Sequence, residues 1–165
     1  MTVARDLRKA FYVPVLAAFL VPLTLMCSPA AEHAVAERVV TDRHSGLAIG
    51  GFDPVAYFVE GEPVLGRGDF EYAIAGTVWR FRNEGNRAAF VDKPEVYMPR
   101  FGGYDPVAVA RDVGVPGDPR LWLIVENQLY LFYSPEARTT FADNFMTIVE
   151  AAARSWPTVQ ETLSP

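Results

Sequence analysis

A six-residue segment of this chain occurs twice with one conservative exchange, and both occurrences have the signals of a helix start. Gly-Phe-Asp-Pro-Val-Ala begins at Gly51, and Gly-Tyr-Asp-Pro-Val-Ala begins at Gly103. An aspartate at the N-cap accepts a hydrogen bond from a free backbone N–H, and a proline at the first helical position lacks only a donor that has no partner there. The pair therefore predicts two helices that begin at Pro54 and Pro106.

The two aspartates have two interpretations. Helix capping alone is the commoner role of an Asp-Pro pair. The alternative is a polar site, formed if the carboxylates of Asp53 and Asp105 face a common cleft. The segments that follow differ, because a short aromatic stretch and Gly61 follow the first hexapeptide and a longer apolar stretch follows the second. We therefore interpret the similarity as local and not as an internal repeat.

Residues 1–30 have the organisation of a secretory signal peptide. Basic residues at positions 5, 8 and 9 precede an apolar run at 11–26, and small residues follow at 28–36. The run is shorter than the roughly twenty residues of a membrane-spanning helix. We expect cleavage after Ala30, or as late as Ala36, and a periplasmic or secreted protein. The alternatives are an N-terminal membrane anchor and a lipoprotein attached through Cys27.

Cysteine content and charge narrow the classes of function. Cys27 is the only cysteine, so a chain cleaved after Ala30 has neither a disulfide nor a thiol nucleophile. The formal charge is −5, and residues 1–30 carry a net +2, which leaves −7 for the remainder. An acidic domain without clustered Lys and Arg argues against nucleic-acid binding. Membrane contact is expected only through an uncleaved signal segment or a lipidated Cys27.

Hydrophobic patterns predict one α+β domain in which helices cover a small antiparallel sheet. Residues 69–83 and 121–133 alternate as two β-hairpins, which we expect to join in one sheet. Asn83 is predicted to cap a helix that ends at Lys93. The length of the chain supports a core that needs no metal or disulfide for folding.

The remaining segments predict shorter elements. We expect an irregular ordered loop at 94–103, because it contains several glycines and prolines. A helix from Pro106 should end near Gly114 and bury its apolar face, which consists of Val107, Ala110 and Val113. Ser134 should cap a helical region that breaks near Asn144 and ends at Trp156, before Pro157.

Catalytic and metal signatures are weak. The histidines are His33 and His44, in the stretch at 31–45 that leads into the domain, and neither has a partner at metal-ligand spacing. No nucleophile and base stand at a recognisable spacing. Several aromatic residues could line a binding surface, but they are more typical of a core. They are Trp79, Tyr97, Phe101, Tyr104 and Trp122.

Several segments, taken in order, resemble a known family. They are 51–58 (GFDPVAYF), 76–81 (GTVWRF), 99–104 (PRFGGY), 129–131 (LYL) and 155–157 (SWP), with Asn86, Phe90, Pro94 and Tyr97 at the family's spacing. This arrangement is similar to the extended, exported form of the YHS-domain family and covers residues 46–157, which leaves 158–165 as a tail. The resemblance implies a metal-binding role. Family members usually carry cysteine where this chain has Asp105, and a carboxylate is a harder ligand than a thiolate.

The first hypothesis is an exported, non-enzymatic YHS-like binding or accessory module of the cell envelope, whose partner is an unknown ligand or envelope protein. Its candidate binding residues are Asp53, Tyr57, Tyr104 and Asp105. The second is a metal-handling protein with a carboxylate-based site, for which Asp53, Asp105 and His44 are the candidate ligands. The third is an unrecognised small-molecule enzyme. The sequence identifies no cofactor, and a metal is the one that the resemblance implies.

Overall fold

A computed structural model of the chain describes residues 38–74 and 76–163. The predicted signal segment, its cleavage sites, Cys27 and His33 lie outside the described residues. The helices are α1 (Ala56–Val59), α2 (Glu84–Asp92), α3 (Pro94–Tyr97), α4 (Pro106–Val109), α5 (Pro135–Asp143) and α6 (Phe145–Thr162). The strands are β1 (Arg67–Ile74), β2 (Thr77–Phe81), β3 (Asp118–Val125) and β4 (Gln128–Phe132). The α+β fold predicted from the sequence is confirmed.

The two β-hairpins are copies of one another. In the first hairpin Glu71 pairs with Arg80, and in the second Trp122 pairs with Leu131, each residue 51 positions after its counterpart. Both ladders contain an irregularity at the same place, between Arg67 and Glu71 in β1 and between Asp118 and Trp122 in β3. The same irregularity, three extra residues at one register position of each ladder, indicates a shared backbone plan.

The segment before each hairpin is also repeated. A short 3₁₀ turn precedes each Asp-Pro pair, and we call these turns the first glycine loop (Ile49–Gly51) and the second glycine loop (Arg100–Gly103). Gly50 has φ 64 and ψ 20, and Gly102 has φ 60 and ψ 15. Such left-handed backbone suits glycine. After each hairpin comes a nine-residue helix, α2 or α5, and its N-cap is Asn83 or Ser134.

The interpretation that the duplicated hexapeptide is only a local similarity is therefore wrong. Residues 49–92 and 100–143 are two copies of one unit made of glycine loop, capped turn, hairpin and helix. The expectation of a single joined sheet is also wrong, since among the described residues the hairpins form two separate two-stranded sheets. In this part of the chain the two hairpins are not joined by strand pairing and contact the rest of the fold through their side chains.

Two hydrophobic cores result, and the second hairpin lies between them. Successive residues of a strand point to opposite faces. Leu129 and Leu131 of β4 accordingly pack in the first core with Trp79, whereas Tyr130 and Phe132 pack in the second core. Each core has a fully buried phenylalanine from its own nine-residue helix, Phe90 or Phe141. The hairpin β3–β4 therefore has both faces covered.

Several predicted element boundaries differ from the structure. Helix α1 begins at Ala56 and not at Pro54, because Pro54 and Val55 form a turn before it. Helix α4 ends at Val109, because Asp112 adopts a left-handed φ of 61, and Val113 is 51% exposed instead of buried. Residues 94–103 contain α3 and the second glycine loop instead of irregular coil. Helix α6 continues through Pro157 to Thr162, because packing of the fully buried Val159 outweighs the backbone donor that proline lacks.

The described part of the lead-in belongs to the folded domain. Val40 donates its N–H to the carbonyl oxygen of Gly102 at 2.8 Å, and its own carbonyl oxygen accepts the N–H of Ile49 at 2.8 Å. The guanidinium of Arg38 donates to the carbonyl oxygen of Leu163 at 2.7 Å. Residues 38–40 thus join both glycine loops and the end of α6. Among the helices in the described ranges, none is long and apolar enough to cross a membrane.

Candidate functional site

The carboxylate of Asp53 is fully buried and is surrounded by N–H donors. Its Oδ1 accepts the backbone N–H groups of Val55 at 2.9 Å and Ala56 at 3.3 Å. Its Oδ2 accepts the backbone N–H of Arg82 and the side-chain amide of Asn86, both at 2.7 Å. Four N–H donors thus satisfy the hydrogen-bonding capacity of one buried carboxylate. Asp53 therefore connects the start of α1 to the end of β2 and the start of α2.

Asp105 has the corresponding role in the second copy of the repeat. Its Oδ1 accepts the N–H of Val107 at 2.8 Å, and its Oδ2 accepts the N–H of Tyr133 at 2.9 Å. Its side chain is 2% exposed. Tyr133 stands 51 positions after Arg82, so the same bond links the cap to the end of the hairpin in both copies. Ala137 replaces Asn86 in the second copy and supplies no side-chain donor.

The structure does not bring the two carboxylates into a shared polar cleft. Each accepts hydrogen bonds from its own copy of the repeat, and both are closed to solvent. This is the arrangement expected of two caps. The predicted N-cap is confirmed for Asp105 at α4, whereas α1 has Val55 as its N-cap and Asp53 instead bonds the backbone N–H groups of the turn at its start. The bond from each carboxylate to the residue after β2 or β4 was not predicted.

The other predicted site residues lie in different places. Tyr57 is buried, its hydroxyl donates to the carbonyl oxygen of Pro119 at 2.8 Å, and burial raises the pKa of this hydroxyl. Tyr104 is half-buried against Trp156, and its burial likewise raises its pKa. His44 is exposed in the turn after Asp42. Within residues 38–74 and 76–163, no group of three or more His, Cys, Asp or Glu side chains could hold a metal ion.

The aromatic residues singled out from the sequence do not form one surface. Trp79 packs on Phe90 in the first core, and Trp122 makes an edge contact with Tyr57 at 5.3 Å between ring centroids. Phe101 and Tyr104 instead contact Trp156 beside the second core. The interpretation of these residues as core agrees with this packing.

A groove of 340 Å³ lies beside the first glycine loop. Its volume is at the lower end of the roughly 300–1,000 Å³ that ligand pockets occupy. Two apolar side chains differ in their exposure there: Phe52 is buried and Leu65 is 59% exposed. The full lining consists of Val40, Thr41, Asp42, Ile49, Gly50, Phe52, Leu65, Pro119 and Arg120.

The repeat itself holds the walls of this groove in place. The backbone N–H of Asp53 donates to the carbonyl oxygen of Val64 at 2.8 Å, and Gly66 donates to Gly51 at 2.9 Å. These bonds fix Leu65 opposite Phe52. Tyr57 fixes the other wall through its bond to Pro119. Asp53 and Tyr57, both predicted as binding residues, therefore support the groove from behind and are not among its lining residues.

The charged groups of the groove are at its rim. The guanidinium of Arg120 lies over the ring of Phe52, 5.0 Å from its centroid, and approaches Asp118 only to 3.8 Å. Asp42 also lines the groove, and the N–H and hydroxyl of Ser45 and the N–H of His44 hold the pKa of its carboxyl below its usual range. The lining thus includes one cation and one anion beside apolar side chains.

The groove was not predicted from the sequence. Its residues come from four separate segments, and only Phe52 belongs to the duplicated hexapeptide. Recognition of the repeat would have drawn attention to Gly50, because it corresponds to Gly102. No protein-family model, no curated protein and no solved structure matches this chain.

Proposed function

We propose that this chain is an exported, non-enzymatic YHS-like binding or accessory module of the cell envelope, and that its ligand binds in the groove beside the first glycine loop. The observation that carries this proposal is the construction of the groove on the duplicated motif. The buried network around Asp53 supports an apolar floor at Phe52 and a cationic rim at Arg120. A rigid support behind an exposed polar and apolar rim is typical of a binding site.

The burial of the two carboxylates supports a binding protein and not an enzyme that uses them as general acid or base. A general acid or base has to reach the proton that it transfers. Asp53 and Asp105 are closed to solvent and accept bonds from backbone N–H groups, which suits a structural role. The export part of the proposal rests on the sequence pattern of residues 1–30, and the family part rests on the ordered YHS-like segments.

Binding in the groove is tested by an NMR-monitored titration of the purified protein with a library of small fragments. We expect fragments that shift the signals of Gly50, Phe52 and Arg120, and that lose binding in Leu65→Asp. Val59→Asp is the matched control, because Val59 is equally exposed at 62% but does not line the groove. A screen whose hits all map elsewhere, or that finds no hit, contradicts the proposed site.

Export and metal content are tested on the full chain expressed in a bacterial host. We expect a periplasmic protein that lacks residues 1–30, or as many as 36, when its N-terminus is sequenced. An uncleaved cytoplasmic protein contradicts the envelope assignment. Stoichiometric metal that disappears in a folded Asp105→Ala variant contradicts the binding-module assignment in favour of the metal-handling alternative.

A further inference from the structure

The two glycine loops have the same backbone but different neighbours. The second loop is covered by the chain's own residues 38–40. Val40 donates its N–H to the carbonyl oxygen of Gly102 at 2.8 Å, and a Cβ added at Gly102 would lie 1.8 Å from the carbonyl oxygen of Arg38. The backbone of residues 38–40 therefore lies directly against this glycine, in a space that only glycine leaves free.

The first loop has no such cover among the described residues. Gly50 is exposed, and the nearest neighbour of an added Cβ would be the Cδ2 of Phe52 at 3.9 Å. Within residues 38–74 and 76–163, no backbone N–H donates to the carbonyl oxygen of Gly50. The corresponding carbonyl oxygen of Gly102 accepts the backbone N–H of Val40. The groove lies at this uncovered position.

The backbone angles make the two acceptors equivalent. Gly50 and Gly102 differ by 4° in φ and 5° in ψ, and in each copy the next glycine also has a positive φ, 79 at Gly51 and 86 at Gly103. Each of these second glycines accepts one further bond within its own copy, from Gly66 or from Gly117. The two loops therefore have the same backbone, and they differ in whether another segment of the described chain lies against the glycine.

We infer that the groove at Gly50 binds an extended, largely apolar peptide segment of a partner protein, whose backbone N–H donates to the carbonyl oxygen of Gly50 as Val40 donates to that of Gly102. Main-chain pairing supplies orientation, and the floor at Phe52 and Leu65 receives apolar side chains. The segment Arg38-Val39-Val40, which lies against the second glycine loop, shows the kind of peptide that we expect at the first loop; we call it the resident segment. This inference rests on the proposed function, because it names the kind of partner that the groove binds.

The test is a selection of short linear peptides from a displayed library against the purified protein. Enriched peptides are then measured by fluorescence anisotropy on variants. We expect Gly50→Asn to weaken binding by at least about tenfold, because its side chain fills the space that the resident segment occupies at Gly102. Asparagine tolerates the left-handed backbone. Gly61→Asn is the matched control, since Gly61 has φ 70, nothing within 4 Å of an added Cβ, and no place in the groove.

A second variant tests the groove without changing the glycine loop. Leu65→Asp places a charge on an exposed side chain of the groove, and we expect it to weaken the same peptides, whereas Val59→Asp leaves them bound. Peptides that bind both Gly50→Asn and Leu65→Asp as tightly as they bind the wild type overturn the inference. A library that yields no binding peptide also overturns it.

The remaining outcomes separate this inference from the proposed function. Sedimentation that detects a dimer lost in Gly50→Asn identifies a second copy of the chain as the occupant and overturns the inference. Fragments that bind in the groove while no peptide does also overturn it but leave the proposed binding function intact. A groove that binds neither fragments nor peptides overturns both.

Discussion

In the second copy of the repeat, the glycine loop is covered by residues 38–40, the capping aspartate accepts two hydrogen bonds, and the flanking helix α6 is eighteen residues long. In the first copy, the glycine loop opens onto a groove, the capping aspartate accepts four hydrogen bonds, and the flanking helix α3 has four residues. The first copy thus has the stronger internal network and the more exposed loop. Two units with one backbone plan therefore differ in their surroundings, since one glycine loop borders a groove and the other is covered by residues 38–40.

The largest loss of stability that we predict comes from truncating the central phenylalanine of either core. We expect the loss to be the same in both copies, because the two phenylalanines are packed equivalently. Phe90 and Phe141 are both fully buried, 51 positions apart, and each contacts aromatic rings of its own hairpin. Either Phe→Ala substitution should lower the free energy of unfolding by about 4 kcal/mol. Urea denaturation measures both. A difference of more than about 2 kcal/mol between them contradicts equivalent packing.

The capping aspartates should differ in the same measurement. Asp53→Ala leaves four donors without a protein acceptor, including the buried amide of Asn86, whereas Asp105→Ala leaves two. We expect losses of about 3 kcal/mol and about 2 kcal/mol in the free energy of unfolding. Equal losses, or a larger loss at Asp105, contradict the stronger network of the first copy.

The glycine loops provide the third comparison. Gly102→Ala places a Cβ onto the backbone of Arg38, whereas a Cβ at Gly50 makes only an ordinary contact with Phe52 at 3.9 Å and adds left-handed strain. The loss of stability should be about 2 kcal/mol larger for Gly102→Ala. Hydrogen exchange of the Val40 amide should accelerate in Gly102→Ala alone. An unchanged exchange rate there contradicts the close packing of residues 38–40 on the second loop.

Asn86 accounts for part of the difference between the caps. Asn86→Ala removes the side-chain donor that the second copy lacks, since Ala137 stands there, and should lower the free energy of unfolding by about 1 kcal/mol. A double-mutant cycle with Asp53→Ala should show coupling of about the same size. If the two substitutions are additive, the amide contributes nothing to the cap.

The smallest effect concerns alkaline pH. Burial raises the pKa of Tyr57 above its ordinary value of 10.0, so the folded state keeps the hydroxyl proton more tightly than the unfolded state does. The stabilisation is complete below pH 10 and is lost as the pH rises above it. Stability measured from pH 9 to 11 should therefore fall less steeply in Tyr57→Phe than in the wild type. An identical slope contradicts the shift.

Local features of the sequence were the most predictable. Asn83 and Ser134 cap α2 and α5 as expected, because N-cap chemistry depends on a side chain and the next three residues. Both hairpins form where alternation predicted them. The second turn, at Glu126 and Asn127, has two positive φ values of 50 and 58, which suits a two-residue hairpin connection.

Relations between distant segments were not predictable in the same way. The residues after each hexapeptide differ, which argues against a repeat, although Phe81 and Phe132, and Phe90 and Phe141, recur at a spacing of 51. The hexapeptides themselves are 52 apart, so a one-residue shift conceals the correspondence. Helix α6 passes Pro157 because tertiary packing outweighs a local breaker. The groove depends on four segments that only the folded chain brings together.

The position of the second hairpin between the two cores has a consequence for the order of folding. Leu129 and Leu131 complete the core of the first copy, although they belong to the second. A nascent chain that has just been synthesised through α2 therefore has the helix and hairpin of the first copy but lacks the side chains that close its core. The two copies, despite their common plan, should fold and unfold in one cooperative step, and neither should persist as an isolated fragment.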